Sequence, residues 1–308
     1  MYQLTTAALG KFETHTIRSA DGRQSLTCVP ARGGLLTSIR LDGTEILDAY
    51  QTAEEVDFNR WGKSGLLYPF PNRLRDGRFT WNGQTYQFPV NDTDNNNALH
   101  GFGMDRNLRL MEQQLGESSA ALTLVDNYQG EYPYFPWKFT LRVTYQLHET
   151  QGFRIRMSVV NDGLETIPFG LGWHPYFQLA ETAADCTLQL PAIDLVGIDQ
   201  RMLPTGKRYA YEEFTEQRLL NATRLDNCFA LRPTDGRAEA TITGSKGTLH
   251  YWQDAAQSPY LQVFTPPYGS SIALEPMTCN VDAFNNQEGL RRLPPGESME
   301  LNAGLLLL

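Results

Sequence analysis

Alternation of apolar and polar residues is the main pattern along this chain. In KFTLRVTYQLH, residues 138–148, every second side chain is apolar, and FRIRMSVV, residues 153–160, resumes the alternation after a turn at Gln151-Gly152. A period of two places successive side chains on opposite faces of a strand. The two segments therefore predict an antiparallel hairpin with one buried face.

Turn-forming dipeptides predict further hairpins. Asn82-Gly83 lies in the middle of RFTWNGQTYQF, and Asp42-Gly43 lies between LLTSIRL and TEILDAY. Asn-Gly and Asp-Gly tolerate the positive φ angles of tight hairpin turns. Other short strands are predicted at ALTLVDN (121–127), CTLQL (186–190), ATITG (240–244), YLQVFTPP (260–267), SSIALEP (270–276) and SMELNAGLLLL (298–308).

Helical patterns are scarce. TAEEVDFNRW (52–61) and TEQRLLNA (215–222) are expected to form short helices at most, and the 17 prolines and 26 glycines form no linker. We therefore expect an all-β protein, a large antiparallel β-sandwich forming one domain over residues 1–308. Its function is expected on loops and on one concave sheet face.

Composition narrows the possible partners. The 308 residues are 41% hydrophobic and carry a formal net charge of −9, without a long basic run, which argues against nucleic acid and anionic membranes as partners. We see no signal peptide and no apolar segment of membrane-spanning length. Cys28, Cys186, Cys228 and Cys279 are far apart, which favours free thiols in a cytoplasmic protein over a disulfide framework or a zinc site.

His174 is the strongest single candidate for chemistry. It lies within FGLGWHPYFQL, residues 169–179, where Trp173, Tyr176 and Phe177 are expected to provide aromatic walls. Such apolar neighbours argue against a solvated histidine, so His174 is either a functional residue or, equally, a buried structural histidine bonded to a backbone carbonyl. The other histidine of interest, His100, follows a polar run in ALHGFG and by itself is more typical of a surface loop.

Three charged residues complete the candidate set. Glu275 ends the predicted core strand of SSIALEP, so it is either a strand-end residue that reaches solvent or a general base whose pKa is set by burial. Arg73, in PFPNR, is expected to point inward, whereas Arg75 and Arg78 are expected to be solvated. Asp226, in RLDNCFAL, is in isolation a turn acid.

Five motifs occur in the order that is typical of one family. PFPNR, NNNALHGF, GWHPYF, LDNCF and LEPMTCNVDAFN resemble the aldose 1-epimerase (galactose mutarotase) family, and the resemblance runs from about residue 25 to the C-terminus. It implies a β-supersandwich whose concave face binds a monosaccharide, with no metal or organic cofactor. By this resemblance, Glu275 takes the proton of the anomeric hydroxyl and His174 donates a proton to the ring oxygen. Arg73, His100 and Asp226 would hold the sugar.

The surrounding segments differ from those of galactose mutarotases, which typically have His-Gly-Gly where this chain has His100-Gly101-Phe102. The resemblance therefore predicts mutarotation of a free aldohexose without naming the sugar. Three alternatives stay open: a hexose-6-phosphate mutarotase that uses Arg75 or Arg78, a glycosidase that pairs Glu275 with Asp226, and a sugar-binding module without activity.

Overall fold

Antiparallel strands make up most of the chain. A computed structural model describes residues 1–232 and 236–308. The largest sheet contains nine strands, in the spatial order Arg109–Leu115, Ser119–Tyr128, Phe139–His148, Gly152–Asn161, Ser298–Leu307, Gly247–Asp254, Arg237–Gly244, Thr187–Gln189 and Arg218–Leu219. The second sheet contains eight, in the order Pro204–Tyr211, Ile193–Ile198, Asp226–Leu231, Tyr260–Phe264, Ile272–Met277, Gly172–His174 and Gly65–Leu67, with Tyr176–Phe177 also paired to Ile272–Met277.

Smaller sheets and short helices surround these two. A five-stranded sheet is formed by Gln3–Leu9, Phe12–Arg18, Ser25–Val29, Leu35–Leu41 and Thr44–Glu45. Two-stranded sheets pair Arg73–Arg75 with Asn97–Leu99, Arg78–Trp81 with Gln84–Gln87, and Ile167–Phe169 with Arg291–Leu293. The α-helices are Ala53–Phe58 and Ala283–Asn286, and the 3₁₀ helices are Arg60–Gly62, Gly103–Asp105 and Ala183–Asp185.

The hairpins predicted from alternation and turn residues are confirmed. Phe139–His148 pairs with Gly152–Asn161, and its alternate apolar side chains are buried. The turn residues Asn82 and Gly83 have φ angles of 49° and 80°, as a tight hairpin turn with two positive φ values requires. The sequence pattern therefore determines both the strands and the face that each one buries.

The core lies between the two large sheets. Phe153, on the nine-stranded sheet, packs against Trp173, on the eight-stranded sheet, with ring centroids 5.7 Å apart. Phe139 and Phe169 meet edge to face at 4.9 Å. Because apolar side chains of both sheets form one contiguous buried cluster, the architecture is a β-sandwich, as the alternation predicts.

The two predicted helical segments have different outcomes. Ala53–Phe58 is a helix because Thr52 caps it and the side chain of Glu55 returns the hydrogen bond to the cap, a capping box. TEQRLLNA, which was expected to be a short helix at most, contains no helix: Arg218–Leu219 in that segment is an edge strand paired with Thr187–Gln189. Pairing to an available sheet edge overrides a weak local helix preference.

The cysteines are buried as free thiols. Burial raises the pKa values of Cys28 and Cys279 to about 12, so these thiols stay protonated near neutral pH. No helix in the described part of the chain combines the length and apolar character needed to cross a membrane.

Candidate active site

One pocket brings together all five site residues singled out in the sequence. It has a volume of about 390 Å³ and is lined by Arg73, His100, His174, Asp226 and Glu275, among others. That volume is at the small end of the range for small-molecule sites. Residues that are far apart in the chain meet here because the strands carrying His174, Glu275 and Asp226 belong to the same eight-stranded sheet.

His174 and Glu275 face each other within the pocket. The Nε2 atom of His174 lies 3.3 Å from Oε1 of Glu275, and the two side chains are only 7% and 2% exposed. Their strands are neighbours in the sheet, with Gly172 paired to Met277. The buried atoms His174 Nδ1 and Glu275 Oε2 have no hydrogen-bond partner among the described residues. Within the described residues, Nε2 of His174 and Oε1 of Glu275 therefore face each other, while the other polar side-chain atom of each residue is unpartnered.

Burial moves the two pKa values in opposite directions. Desolvation raises the pKa of Glu275 well above its usual value, and the charge of Asp226 adds to this effect. Desolvation lowers the pKa of His174 to about 3. The favoured forms are therefore a neutral carboxylic acid and a neutral imidazole. This neutral pair contains the same number of protons as a carboxylate with an imidazolium, so the two forms interconvert without exchange with solvent.

Tyr176 packs flat against His174. The two rings are 4.9 Å apart between centroids and only 7° from parallel. Tyr176 lines the pocket, but the predicted walls Trp173 and Phe177 do not, and both are fully buried in the core. The prediction for these two residues is wrong because of strand alternation, which places His174 and Tyr176 on one face and their two neighbours on the other.

The aromatic wall of the pocket comes largely from elsewhere in the chain. Trp61 and Phe264 line the pocket with ring centroids 6.3 Å apart, and the ring of Phe264 is nearly perpendicular to that of Tyr176. Trp61 adopts a left-handed backbone with φ of 75°, next to Gly62 at 61°. A non-glycine residue held in this region is unusual and is often associated with functional sites. Sequence reasoning missed both aromatic residues.

His100 is fixed by the backbone of Asn72. The Asn72 N–H donates to Nδ1 of His100 at 3.2 Å, and the His100 N–H donates to the Asn72 carbonyl at 2.8 Å. Since Nδ1 accepts, the proton of the neutral ring is on Nε2. Burial, together with the charges of His174 and Arg73, lowers the pKa of His100 well below its usual value. His100 is therefore a neutral hydrogen-bond donor in the pocket.

A chain of amide groups orients Asp226. The Asn72 side chain donates to Gln262 Oε1 at 3.2 Å, and Gln262 Nε2 donates to Asp226 Oδ1 at 2.8 Å. Gln262 is directly opposite Glu275 in the strand register. Asp226 is accessible to water in the open pocket, yet the surrounding protein desolvates it and raises its pKa. Gln262 was missed as a site residue, although a lone polar residue in the apolar run YLQVF is a signal for it.

The cationic charge at the pocket comes from Arg73 and is largely balanced by the carboxylate of Asp92. The Arg73 Nε donates to Asp92 at 2.8 Å, and the Arg73 side chain is 15% exposed. Arg75 contacts Asp282, Arg78 is exposed, and neither lines the pocket. The inward position predicted for Arg73 and the outward positions predicted for the other two thus agree with the structure.

The residues able to transfer protons in the pocket are carboxyl groups and imidazoles. Glu275, His174, His100 and Asp226 are the titratable acids and bases that line it alongside Arg73 and Tyr176. Within residues 1–232 and 236–308, no group of three or more histidine, cysteine, aspartate or glutamate side chains is arranged to hold a metal ion.

The fold is that of the galactose mutarotase-like β-sandwich proteins. A galactose mutarotase-like protein from Clostridium acetobutylicum has a solved structure that matches with a TM-score of 0.88 at 23% identity, covering 100% of this chain and 98% of that chain. The family described as aldose 1-epimerase matches residues 15–305. The chain belongs to the aldose 1-epimerase family.

Sequence relatives support the same assignment. The uncharacterized protein YihR of Escherichia coli K12 is 29% identical over 293 residues, covering 93% of this chain and 91% of YihR. Galactose mutarotase of Rattus norvegicus is 29% identical over 139 residues, covering 44% of this chain and 39% of the rat protein. The family supports an epimerase-type enzyme that acts on a sugar.

Proposed function

We propose that this protein is an aldose 1-epimerase that interconverts the α and β anomers of a free aldohexose, with Glu275 as the base and His174 as the acid. The observation that carries the proposal is the buried pair itself, whose facing atoms are 3.3 Å apart in a pocket of sugar size. The reaction consists of proton transfers and one ring opening, so the proposal includes no cofactor.

Each proton in the proposed reaction has a donor and an acceptor. The Glu275 carboxylate takes the proton from the anomeric hydroxyl, the bond between C1 and the ring oxygen breaks, and C1 becomes the carbonyl carbon of the aldehyde. His174, as the imidazolium, donates its proton to the ring oxygen. Rotation about C1–C2 and closure on the other face return both protons.

The pKa directions suit this cycle. Ring opening converts an ionised pair into a neutral pair, and burial favours the neutral pair because it raises the pKa of Glu275 and lowers that of His174. The site therefore stabilises the protonation state that accompanies the open-chain aldehyde relative to the state that accompanies the closed ring. The ionised pair that the closed sugar needs forms from the neutral pair by proton transfer between the two side chains, and the proton transfers of ring opening then return the site to its favoured state.

The charges in the pocket favour an unphosphorylated sugar. Arg73 is already paired with Asp92, and Asp226 adds a carboxylate that forms no salt bridge with any of the described residues. A phosphate dianion placed here would meet more negative than positive charge. The hydroxyls of a neutral sugar, in contrast, are matched by the Nε2–H of His100, the guanidinium of Arg73 and the carboxylate of Asp226.

Saturation-transfer NMR tests the proposal directly. Exchange between anomer signals is measured for glucose, galactose and other free aldoses, and for glucose 6-phosphate, with and without the protein. We expect the protein to accelerate exchange of at least one free aldose far above the spontaneous rate. Binding without accelerated exchange would mean a sugar-binding module, and faster exchange of glucose 6-phosphate than of glucose would mean a phosphosugar mutarotase.

A further inference from the structure

The proposed acid lacks the usual support for its protonated form. A catalytic imidazole is commonly held by a hydrogen-bond acceptor at its second ring nitrogen. Here Nδ1 of His174 is buried, and it has no such partner in the described part of the chain. The titratable groups around the ring are Glu275 at Nε2, His100 at a ring distance of 5.2 Å, and Arg73 and Asp226 elsewhere in the pocket. None of them contacts Nδ1.

The face of the imidazole does have a partner. The Tyr176 ring lies parallel to it at 4.9 Å and is 1% exposed, so water is excluded between the two rings. A cation within about 6 Å of an aromatic ring face is attracted by the negative potential of that face, and the attraction grows when the pair is desolvated. Tyr176 therefore favours the imidazolium over the neutral ring, against the effect of burial.

The hydroxyl of Tyr176 fixes this arrangement. It donates to the carbonyl oxygen of Trp61 at 2.9 Å, and the carbonyl of His174 accepts from the N–H of Ser64 at 2.8 Å. The segment that carries the acid is thus hydrogen-bonded to Trp61 and to Ser64, three residues further along the chain. Because Trp61 lines the pocket, the same hydrogen bond that orients Tyr176 also positions an aromatic wall.

We propose that Tyr176 is a positioning residue for the acid. Its ring face stabilises the protonated form of His174, and its hydroxyl fixes the Trp61 wall of the sugar pocket. This inference rests on the proposed function, since it assigns His174 as the acid.

The role of the ring face is tested by weakening its negative potential without removing the ring. Tyr176→Phe is followed by phenylalanines with one, two and three ring fluorines at the same position, which progressively weaken the negative potential of the face. We expect kcat to fall with each fluorine, by about tenfold over the series. A packing role would leave kcat independent of fluorine number at an unchanged melting temperature, and that result would overturn the proposal.

The contributions of the Tyr176 hydroxyl and of the Tyr176 ring are distinguished by comparing two variants. Tyr176→Phe should keep kcat but raise KM about fivefold, the effect of one lost hydrogen bond on the Trp61 wall. Tyr176→Leu should lower kcat about tenfold because the ring face is gone. Phe177→Leu is the matched control, since Phe177 is buried in the core and should change stability but not kcat. Equal kcat values for the two Tyr176 variants would contradict the assignment.

A measurement without substrate keeps the inference independent of activity. In a Glu275→Gln background, which removes the coupled carboxyl, the titration of His174 is followed by NMR. We expect the midpoint to be about one pH unit lower with Tyr176→Leu than with Tyr176→Phe. Equal titration midpoints of His174 in the two variants would overturn the role of Tyr176. Failure of the proposed function would appear differently, as absent anomer exchange in the unmodified protein.

Discussion

Replacing Glu275 with glutamine is expected to abolish activity while changing how stability depends on pH. The amide keeps the size of the side chain but cannot accept the anomeric proton. Loss of a general base typically lowers rates by about 10² to 10⁴. Sugar binding should stay within about tenfold, because Arg73, His100 and Asp226 remain in the pocket.

The stability effect follows from the raised pKa of Glu275. Between the ordinary value of 4.5 and the raised value in the folded protein, the folded chain keeps a proton that the unfolded chain has released. Folding stability therefore falls as pH rises through this window, by about 1.4 kcal/mol per pH unit. Two pH units inside the window correspond to about 2.7 kcal/mol. The glutamine variant has no such proton, so this loss should disappear.

Denaturant unfolding at a series of pH values, with anomer exchange measured in parallel, checks both effects. Glu117→Gln is a suitable control because this carboxylate is exposed and does not line the pocket. As pH increases, the difference in unfolding free energy between Glu275→Gln and the unmodified protein should shift in favour of the variant. Glu117→Gln should show no such shift. Near-normal turnover would remove Glu275 from the mechanism. Parallel stability curves would show that its carboxyl is not protonated in the folded protein.

Three further changes have defined outcomes. His174→Asn should lose activity to a similar degree and stay folded. Urea titrations should show that it loses less stability than the unmodified protein as pH falls from 6.5 toward 3, because the buried imidazole that resists protonation is gone; loss of soluble protein would indicate an architectural role. Replacing Arg75 and Arg78 together with alanine should barely change the turnover of glucose or galactose, and a lost preference for glucose 6-phosphate would reverse the substrate assignment. Gly101→Ala should lower the free energy of unfolding by about 2–5 kcal/mol, since the glycine has φ of 66° and a Cβ would lie 2.2 Å from the Tyr68 carbonyl oxygen; an unchanged melting temperature would contradict this.

The sequence predicts strands well because alternation is a local property. Phe139–His148 and Gly152–Asn161 follow directly from the order of apolar and polar residues and a turn. The pocket depends instead on which strands pair, and that is not local. Gln262 is opposite Glu275 only because Tyr260–Phe264 pairs with Ile272–Met277.

The errors around His174 have a similar origin. Aromatic residues next to an imidazole in sequence were expected next to it in space. In a strand, however, the immediate neighbours point away, so Trp173 is in the core while Tyr176 is in the pocket. Trp61 reaches the pocket through a left-handed turn, a conformation that its residue type gives no reason to expect.

The position of Ser298–Leu307 affects how the protein is made. This strand lies inside the nine-stranded sheet, between Gly152–Asn161 and Gly247–Asp254. During synthesis, residues 139–161 leave the ribosome long before residues 298–307. The edge of Gly152–Asn161 that pairs with Ser298–Leu307 is therefore unpaired while the intervening chain is translated. An exposed strand edge is a site for aggregation. The nine-stranded sheet can therefore close only after residues 298–307 have been synthesised, and until then this edge is open to pairing with other chains.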